Sequence, residues 1–210
     1  MTLPIKNKNT IQVLLFDVGG VCLTDGWEHE SRRKAAVRFA LDFKEMEKRH
    51  HRVFETFECG LMSRRAYLSQ VIFYKKRNFS QETFIRFIEG ESNPHQGTLA
   101  ILKRLKKSGR YLLGVLSNES AELNKFRIET FKLRRYFTHF FSSCYLGVRK
   151  PDPRIYNIAL GVTQKNPQEV LFIDDRRENV DAARALKMNA IHLTEVGKLA
   201  EELKKYGVKY

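Results

Sequence analysis

The stretch Val13-Leu14-Leu15-Phe16-Asp17-Val18-Gly19-Gly20 limits what this chain can fold into more than any other. Four bulky apolar residues in succession read as a strand buried on both faces. The run stops at an aspartate, and the two glycines behind it let the backbone turn tightly and let a ligand approach the main chain. An acid at the C-terminal end of a buried parallel strand stands where open α/β sheets bind their ligands. Taken alone, Asp17 reads better as a turn cap. Its meaning depends on what the rest of the chain brings to the same edge.

Downstream, roughly Glu28 to Phe57 carries Ala36, Phe39, Ala40, Phe43 and Met46 at helical spacing, which predicts one long helix. Cys59-Gly60 breaks it, Ser63 caps a helix through Tyr74, and Ser80 starts another that ends near Gly90. This wholly helical stretch reads as an insertion in an α/β domain. Asn93 and Pro94 then open a helix that stops at Gly109. Strands follow at 111–116, 138–143, 170–173 and 190–193, separated by helices at 120–133, after Asp152-Pro153 and at 178–187, with a terminal helix from Glu195 to Tyr206. Such alternation means a doubly wound parallel sheet with helices on both faces.

With 210 residues, 42% of them apolar and 15 of them Phe, the chain can build one sizeable core domain plus the helical insertion. No run is long enough to span a membrane, and the polar start from Met1 to Thr10 is no signal peptide, so a cytoplasmic protein is expected. Cys22, Cys59 and Cys144 are widely separated and odd in number, which favours free thiols. The net charge of +14 gathers at 32–34, 103–107 and 134–135 on helical faces read as solvated. A positive field that collects small phosphorylated molecules accounts for this pattern, and nucleic acid is not expected as a partner.

Asp17, Ser117-Asn118 and Asp174-Asp175 all fall at C-terminal strand ends, and Lys150 precedes a helix whose start can face the same edge. A carboxylate nucleophile, hydroxyl and amide donors, a cation and a carboxylate pair together suit phosphoryl transfer. Two carboxylates held close repel each other unless a cation lies between them, and Mg²⁺ prefers such oxygen ligands. The ion and the lysine neutralise phosphoryl charge while a carboxylate attacks, and water then hydrolyses the aspartyl-phosphate.

Phe16-Asp17-Val18-Gly19-Gly20-Val21, Leu116-Ser117-Asn118, Gly147 to Pro153, and Phe172-Ile173-Asp174-Asp175 stand in the order of the four motifs of the haloacid dehalogenase-like superfamily, which the chain resembles over nearly its whole length. The resemblance implies a Rossmann-like core over 1–22 and 92–210 and an α-helical cap over 23–91. Phe57-Glu58-Cys59-Gly60-Leu61 resembles a cap segment of small sugar-phosphate phosphatases. By motif, Asp17 is nucleophile and Mg²⁺ ligand, the Gly19 carbonyl and Asp175 are further ligands, and Asp174 lies close by or shares that role. Ser117 and Asn118 bind the phosphoryl oxygens, Lys150 steadies nucleophile and phosphate, and Asn179 orients the metal site.

In one respect the chain departs from the family's pattern. Phosphatases of the superfamily usually carry a second Asp two residues after the nucleophile as general acid and base, and here that residue is Gly19. Water, Glu28, His29, His50 or His51 could substitute, although each of these side chains reads more simply as a solvated surface group. The resulting expectation is a Mg²⁺-dependent phosphatase for a small phosphorylated metabolite such as a sugar phosphate, monomeric or homodimeric. The alternatives are a phosphomutase, a metal-free dehalogenase, and a non-catalytic protein that binds a phosphorylated ligand or a macromolecule.

Overall fold

The first strand, β1 (Val13–Phe16), is the middle of a five-stranded, all-parallel sheet in a computed structural model that describes residues 10–210. The expectation drawn from Met1 to Thr10 lies outside those residues, apart from Thr10. The other strands are β2 (Leu112–Ser117), β3 (His139–Ser142), β4 (Val170–Asp174) and β5 (Asn189–His192), arranged β3-β2-β1-β4-β5. Phe16 is in register with Val115 on one side and Ile173 on the other. The chain therefore leaves β1 in opposite directions, and a crevice opens at the carboxyl end of β1.

The unbroken apolar run of β1 is explained by its two faces. Leu14 and Phe16 join one core with Ile101, Leu102 and Leu105 of α5 (Gln96–Ser108), Ile128 of α6 (Ala121–Thr130), and Leu199 and Leu203 of α10 (Leu199–Lys205). Beyond the short helix α7 (Ser143–Leu146), Val13 and Leu15 join a second core with Ile155, Tyr156 and Ala159 of α8 (Pro153–Thr163) and with Val180 and Ala183 of α9 (Arg177–Ala185). Each of the Val, Leu, Ile and Phe side chains contributes about 1.5–3 kcal/mol on burial.

Residues 29–90 are wholly helical between turns: α1 (His29–Arg38), α2 (Phe43–Glu58), α3 (Arg64–Val71) and α4 (Gln81–Gly90). They enclose a third core that includes Met46, Phe57, Tyr67, Leu68 and Phe84, with Phe39 tilted against Phe79 and Phe84 and edge-on to Phe87. The two crossings to the sheet run side by side. Leu23 bridges Pro94, and the Thr24 amide donates to the Asn93 carbonyl at 2.8 Å.

Several expectations need correction. The single helix over 28–57 is two, because Ala40 takes a left-handed conformation (φ 48°) and Asp42 caps α2 by accepting from the Glu45 amide at 3.1 Å. The helix after Ser63 stops at Val71 rather than Tyr74, although Ser63 and Ser80 cap as expected. Asn93 is not a cap: its side-chain amide donates back to the Gly90 carbonyl, and α5 begins at Gln96 behind His95. The C-terminal helix proper starts at Leu199, after a 3₁₀ turn at Val196–Lys198. Of the basic clusters, Arg32 is buried and paired with Glu47 at 2.5 Å, whereas Lys103, Lys106, Lys107, Arg134 and Arg135 are exposed as read. No helix among the described residues is long and apolar enough to cross a membrane.

Arg127 ties the helical stretch to the sheet. Its buried guanidinium pairs with buried Glu119, donates to Ser92 Oγ at 3.0 Å and to the Thr24 carbonyl at 2.9 Å, and also reaches the Asp25 carbonyl. Removing one partner of a buried ion pair leaves the other charge uncompensated, at a cost of about 3–5 kcal/mol. Arg127→Ala is therefore expected to lower unfolding stability by about that amount, read as a fall in the urea midpoint with an unchanged slope.

Candidate active site

The ends of β1, β2 and β4 meet in a cavity of about 290 Å³ between the sheet edge and the helical stretch. Lys150 is buried in its wall. The residue is 1% exposed, and its Nζ lies 2.5 Å from Asp174 Oδ2 and 3.1 Å from Asp17 Oδ2, with the Phe172 ring 5.2 Å away. Burial alone would push the ammonium pKa down, but Asp17 and Asp174 outweigh it and hold the pKa raised. Asn118 fixes the lysine backbone, with Nδ2 donating to the Lys150 carbonyl at 2.9 Å and Oδ1 accepting from its amide at 2.8 Å. Ser117 and Asn118 both line the cavity, and the Asn118 side chain is in addition bonded to the Lys150 peptide.

Asp17 Oδ1 accepts from the Val18 amide at 2.7 Å. Burial raises its pKa, with Asp174 adding to the rise, while Lys150 and the Ser117 hydroxyl pull the other way. Asp174 is fully buried and saturated. Besides Lys150 it accepts from the Arg176 amide at 2.8 Å and from Asn179 Nδ2 at 3.1 Å on each oxygen. Asn179 accordingly reaches the acid pair as expected, through Asp174.

Asp175 differs from its neighbour. Its Oδ1 is buried with no hydrogen-bond partner, and burial together with Asp17, Asp25 and Asp174 pushes its pKa up to about 7. One oxygen from each of Asp17, Asp174 and Asp175 lies within 4.8 Å of the others. An all-oxygen set with an orphaned buried acceptor fits a hard divalent cation such as Mg²⁺. The Gly19 carbonyl lies on the loop that follows Asp17 and remains the fourth expected ligand.

Helices α1 and α2 cover the cavity with Trp27 from the preceding loop, Phe54 and Phe57, and with the four side chains considered as substitute acids. His50 is not a solvated group: it is 7% exposed, and burial, helped by Arg32, His51 and Arg149, drives its pKa down to about 3. Trp27 Nε1 donates to Tyr67 Oη at 2.7 Å, and Tyr67 Oη pairs with His50 Nδ1, also at 2.7 Å. His50 is then a neutral imidazole. Glu28 caps α1 through the Glu30 amide, while His29 and His51 are exposed as read. The Glu58 carboxylate holds Arg149 at 2.7 Å and its carbonyl accepts from Ser143 Oγ at 2.6 Å. Gly60 next to it takes φ 71°, and a side chain there would run into the Cys144 carbonyl.

Asp25 and Arg127 escaped the reading from sequence. Asp25 lines the cavity beside Asp17 and Gly19, and its carboxyl pKa is raised by burial and by Asp17. The signal was faint: Thr24-Asp25-Gly26 has an ordinary turn composition.

The profile of the haloacid dehalogenase-like hydrolases matches residues 11–187, and the chain belongs to that family. It is 27% identical to flavin mononucleotide hydrolase 1 of Arabidopsis thaliana over 97% of this chain and 81% of that protein. A glyceraldehyde 3-phosphate phosphatase of Pyrococcus furiosus is 31% identical over 52% of this chain and 47% of its own length. Among solved structures, a haloacid dehalogenase-family enzyme of Bacteroides thetaiotaomicron superposes with a TM-score of 0.78 at 22% identity, covering 93% of this chain and 98% of that one. The same enzyme complexed with magnesium and inorganic phosphate gives 0.70 at 22% identity, over 86% and 93% of the two chains.

The raised Asp175 pKa has a measurable consequence. An ordinary aspartate, at 3.8, releases its proton well before the folded Asp175 does near 7, so the folded state binds more protons in between. This group's contribution to stability therefore declines as pH rises through that window, and a bound cation opposes the decline. Mg²⁺ is expected to raise Tm more near pH 8 than near pH 5, and Asp175→Asn to remove most of that gain. Differential scanning fluorimetry with and without chelator reads both; an Mg²⁺ shift independent of pH would contradict the account.

Proposed function

We propose that the protein is a Mg²⁺-dependent phosphatase that hydrolyses a small phosphorylated metabolite through an aspartyl-phosphate on Asp17. The observation that carries this reading is the buried lysine clamped between Asp17 and Asp174 beside the orphaned Asp175 oxygen. The phosphatase names among the relatives, and the magnesium and phosphate held by a neighbour of the same fold, support it.

In this reading Asp17, Asp175 and the Gly19 carbonyl hold Mg²⁺, which when bound supplies positive charge against the phosphoryl oxygens. Asp174 serves chiefly to anchor Lys150, since its oxygens already accept hydrogen bonds from three partners. The Val18 amide fixes the Asp17 carboxylate for in-line attack. Ser117 donates to a phosphoryl oxygen and Lys150 balances the charge that Asp17 passes to phosphorus. Asn118 contributes by keeping Lys150 in place.

Residues 23–91 act as a cap over a core formed by 1–22 and 92–210, excluding water and selecting the leaving group through Trp27, His50, Phe54 and Phe57. A cavity of about 290 Å³ is at the small end for ligand pockets, which favours a leaving group of a few carbons.

Asp17→Asn is expected to keep the fold and reduce turnover of any phosphate ester by at least about 10³-fold, because the amide is no nucleophile. Chelator should abolish wild-type turnover and added Mg²⁺ restore it. Full activity in chelator would turn the assignment toward a metal-free dehalogenase. A folded wild type inert on a panel of phosphate esters with Mg²⁺ would turn it toward a non-catalytic binder.

A further inference from the structure

Gly19 removes the side chain that would protonate the leaving oxygen, but the structure does not leave that space empty. A Cβ built on Gly19 would lie 2.9 Å from Asp25 Oδ1, 3.5 Å from Asp25 Cα and 3.6 Å from an Arg127 nitrogen. A carboxylate from a residue eight positions past the nucleophile thus occupies the volume into which a residue 19 side chain would project. The Asp25 carboxylate makes no hydrogen bond or ion pair with another described residue, and it lines the same cavity as Asp17, Ser117 and Lys150. The loop around it is held through main-chain atoms. Arg127 donates to the Thr24 and Asp25 carbonyls, and Gly26 at φ 81° lacks the side chain that would collide with that guanidinium. A side chain fixed in place by its own backbone, with both carboxyl oxygens uncommitted, is built to act on something that enters the cavity.

We propose that Asp25 is the proton donor and acceptor of the reaction, supplied from the loop after β1 in place of a side chain at residue 19. The assignment rests on the phosphatase reading. In the first half-reaction an Asp17 oxygen bonds to phosphorus as the ester P–O bond breaks, and the Asp25 carboxyl proton passes to the departing oxygen to give the alcohol. In the second, the Asp25 carboxylate takes a proton from water as the water oxygen bonds to phosphorus. The bond from phosphorus to Asp17 breaks, releasing inorganic phosphate and restoring both aspartates. Arg127 is a positioning residue in this scheme. None of Glu28, His29, His50 or His51 is needed as an acid.

The test is the first-turnover rate of leaving-group release from an aryl and an alkyl phosphate with Mg²⁺ present, in wild type, Asp25→Asn, Asp25→Ala and Gly19→Asp/Asp25→Ala. Asp25→Asn keeps the main-chain clamp intact. It should slow alkyl release by about 10²–10⁴-fold and aryl release by less than about tenfold, because only the poor leaving group needs the proton. Phosphate should then accumulate on Asp17, since the second half-reaction has lost its base. The double variant moves the carboxylate rather than removing it. With Asp25 truncated, the next neighbours of a residue 19 Cβ lie at 3.5 and 3.6 Å, ordinary contact distance, so alkyl release should recover at least about tenfold over Asp25→Ala. Gly19→Asp alone, with two carboxylates forced together, should be the poorest of the set. Equal losses on both esters in Asp25→Asn without phosphoenzyme would overturn the assignment while leaving the phosphatase reading in place. If the double variant misfolds, the aryl-to-alkyl contrast in Asp25→Asn still decides. A wild type that releases neither leaving group overturns both readings together.

Discussion

The charge pattern of the whole sheet edge depends on one ammonium group with no access to water. Lys150 Nζ is within 3.1 Å of two aspartates at the ends of two different strands. Burying any of the three alone would cost several kcal/mol, and together they are tolerable because each offsets the others. The rest of the edge is arranged to keep the ammonium there. Asn118 clasps its peptide from β2, the helix that follows starts behind an Asp152 cap, and Phe172 faces the Nζ at 5.2 Å. A strand end that would otherwise be a repulsive cluster of acids is neutralised in part.

The balance is deliberately incomplete on the metal side. Asp17, Asp25, Asp174 and Asp175 face one another, while Lys150 is committed to Asp17 and Asp174. Asp174 is quenched by hydrogen bonds from three partners, and Asp175 is left with a bare buried oxygen. The same surroundings thus make one acid of the adjacent pair a scaffold and leave the other short of a cation. Adjacent in sequence, the two are told apart only by what their neighbours donate.

This distinction marks the limit of what the sequence can show. The strand runs, the chain order and the acids at strand ends were legible because burial on both faces and strand–helix alternation write directly into composition. Asp17, Ser117, Lys150 and the Asp174-Asp175 pair could be placed on one edge from that alone. Asp25 could not, because its meaning comes from Arg127, 102 residues away, which fixes the loop that carries it. Arg127 itself looks like any helical surface arginine until its buried contacts are seen. The bonds from the Asn118 side chain to the Lys150 peptide were not legible either, because an amide at a strand end can face either way. The break at Ala40 was missed since nothing in its local composition signals a left-handed residue, and His50 was misjudged because the tyrosine and tryptophan that hold it lie on other segments.

The paired crossings at 22–24 and 91–95 also bear on how such a protein can change. The chain departs from and returns to the sheet at adjacent points, bonded to each other through Thr24 and Asn93, with His95 donating to the Cys22 carbonyl. To the sheet, everything in between is a single closed loop. The entropy of closing a loop grows only with the logarithm of its length, about 0.6 kcal/mol per doubling. A larger, smaller or differently folded insertion could therefore replace these four helices with little effect on strand register. Replacing the strands themselves would disturb every residue that holds Lys150. The architecture separates a part free to drift from a part that is not.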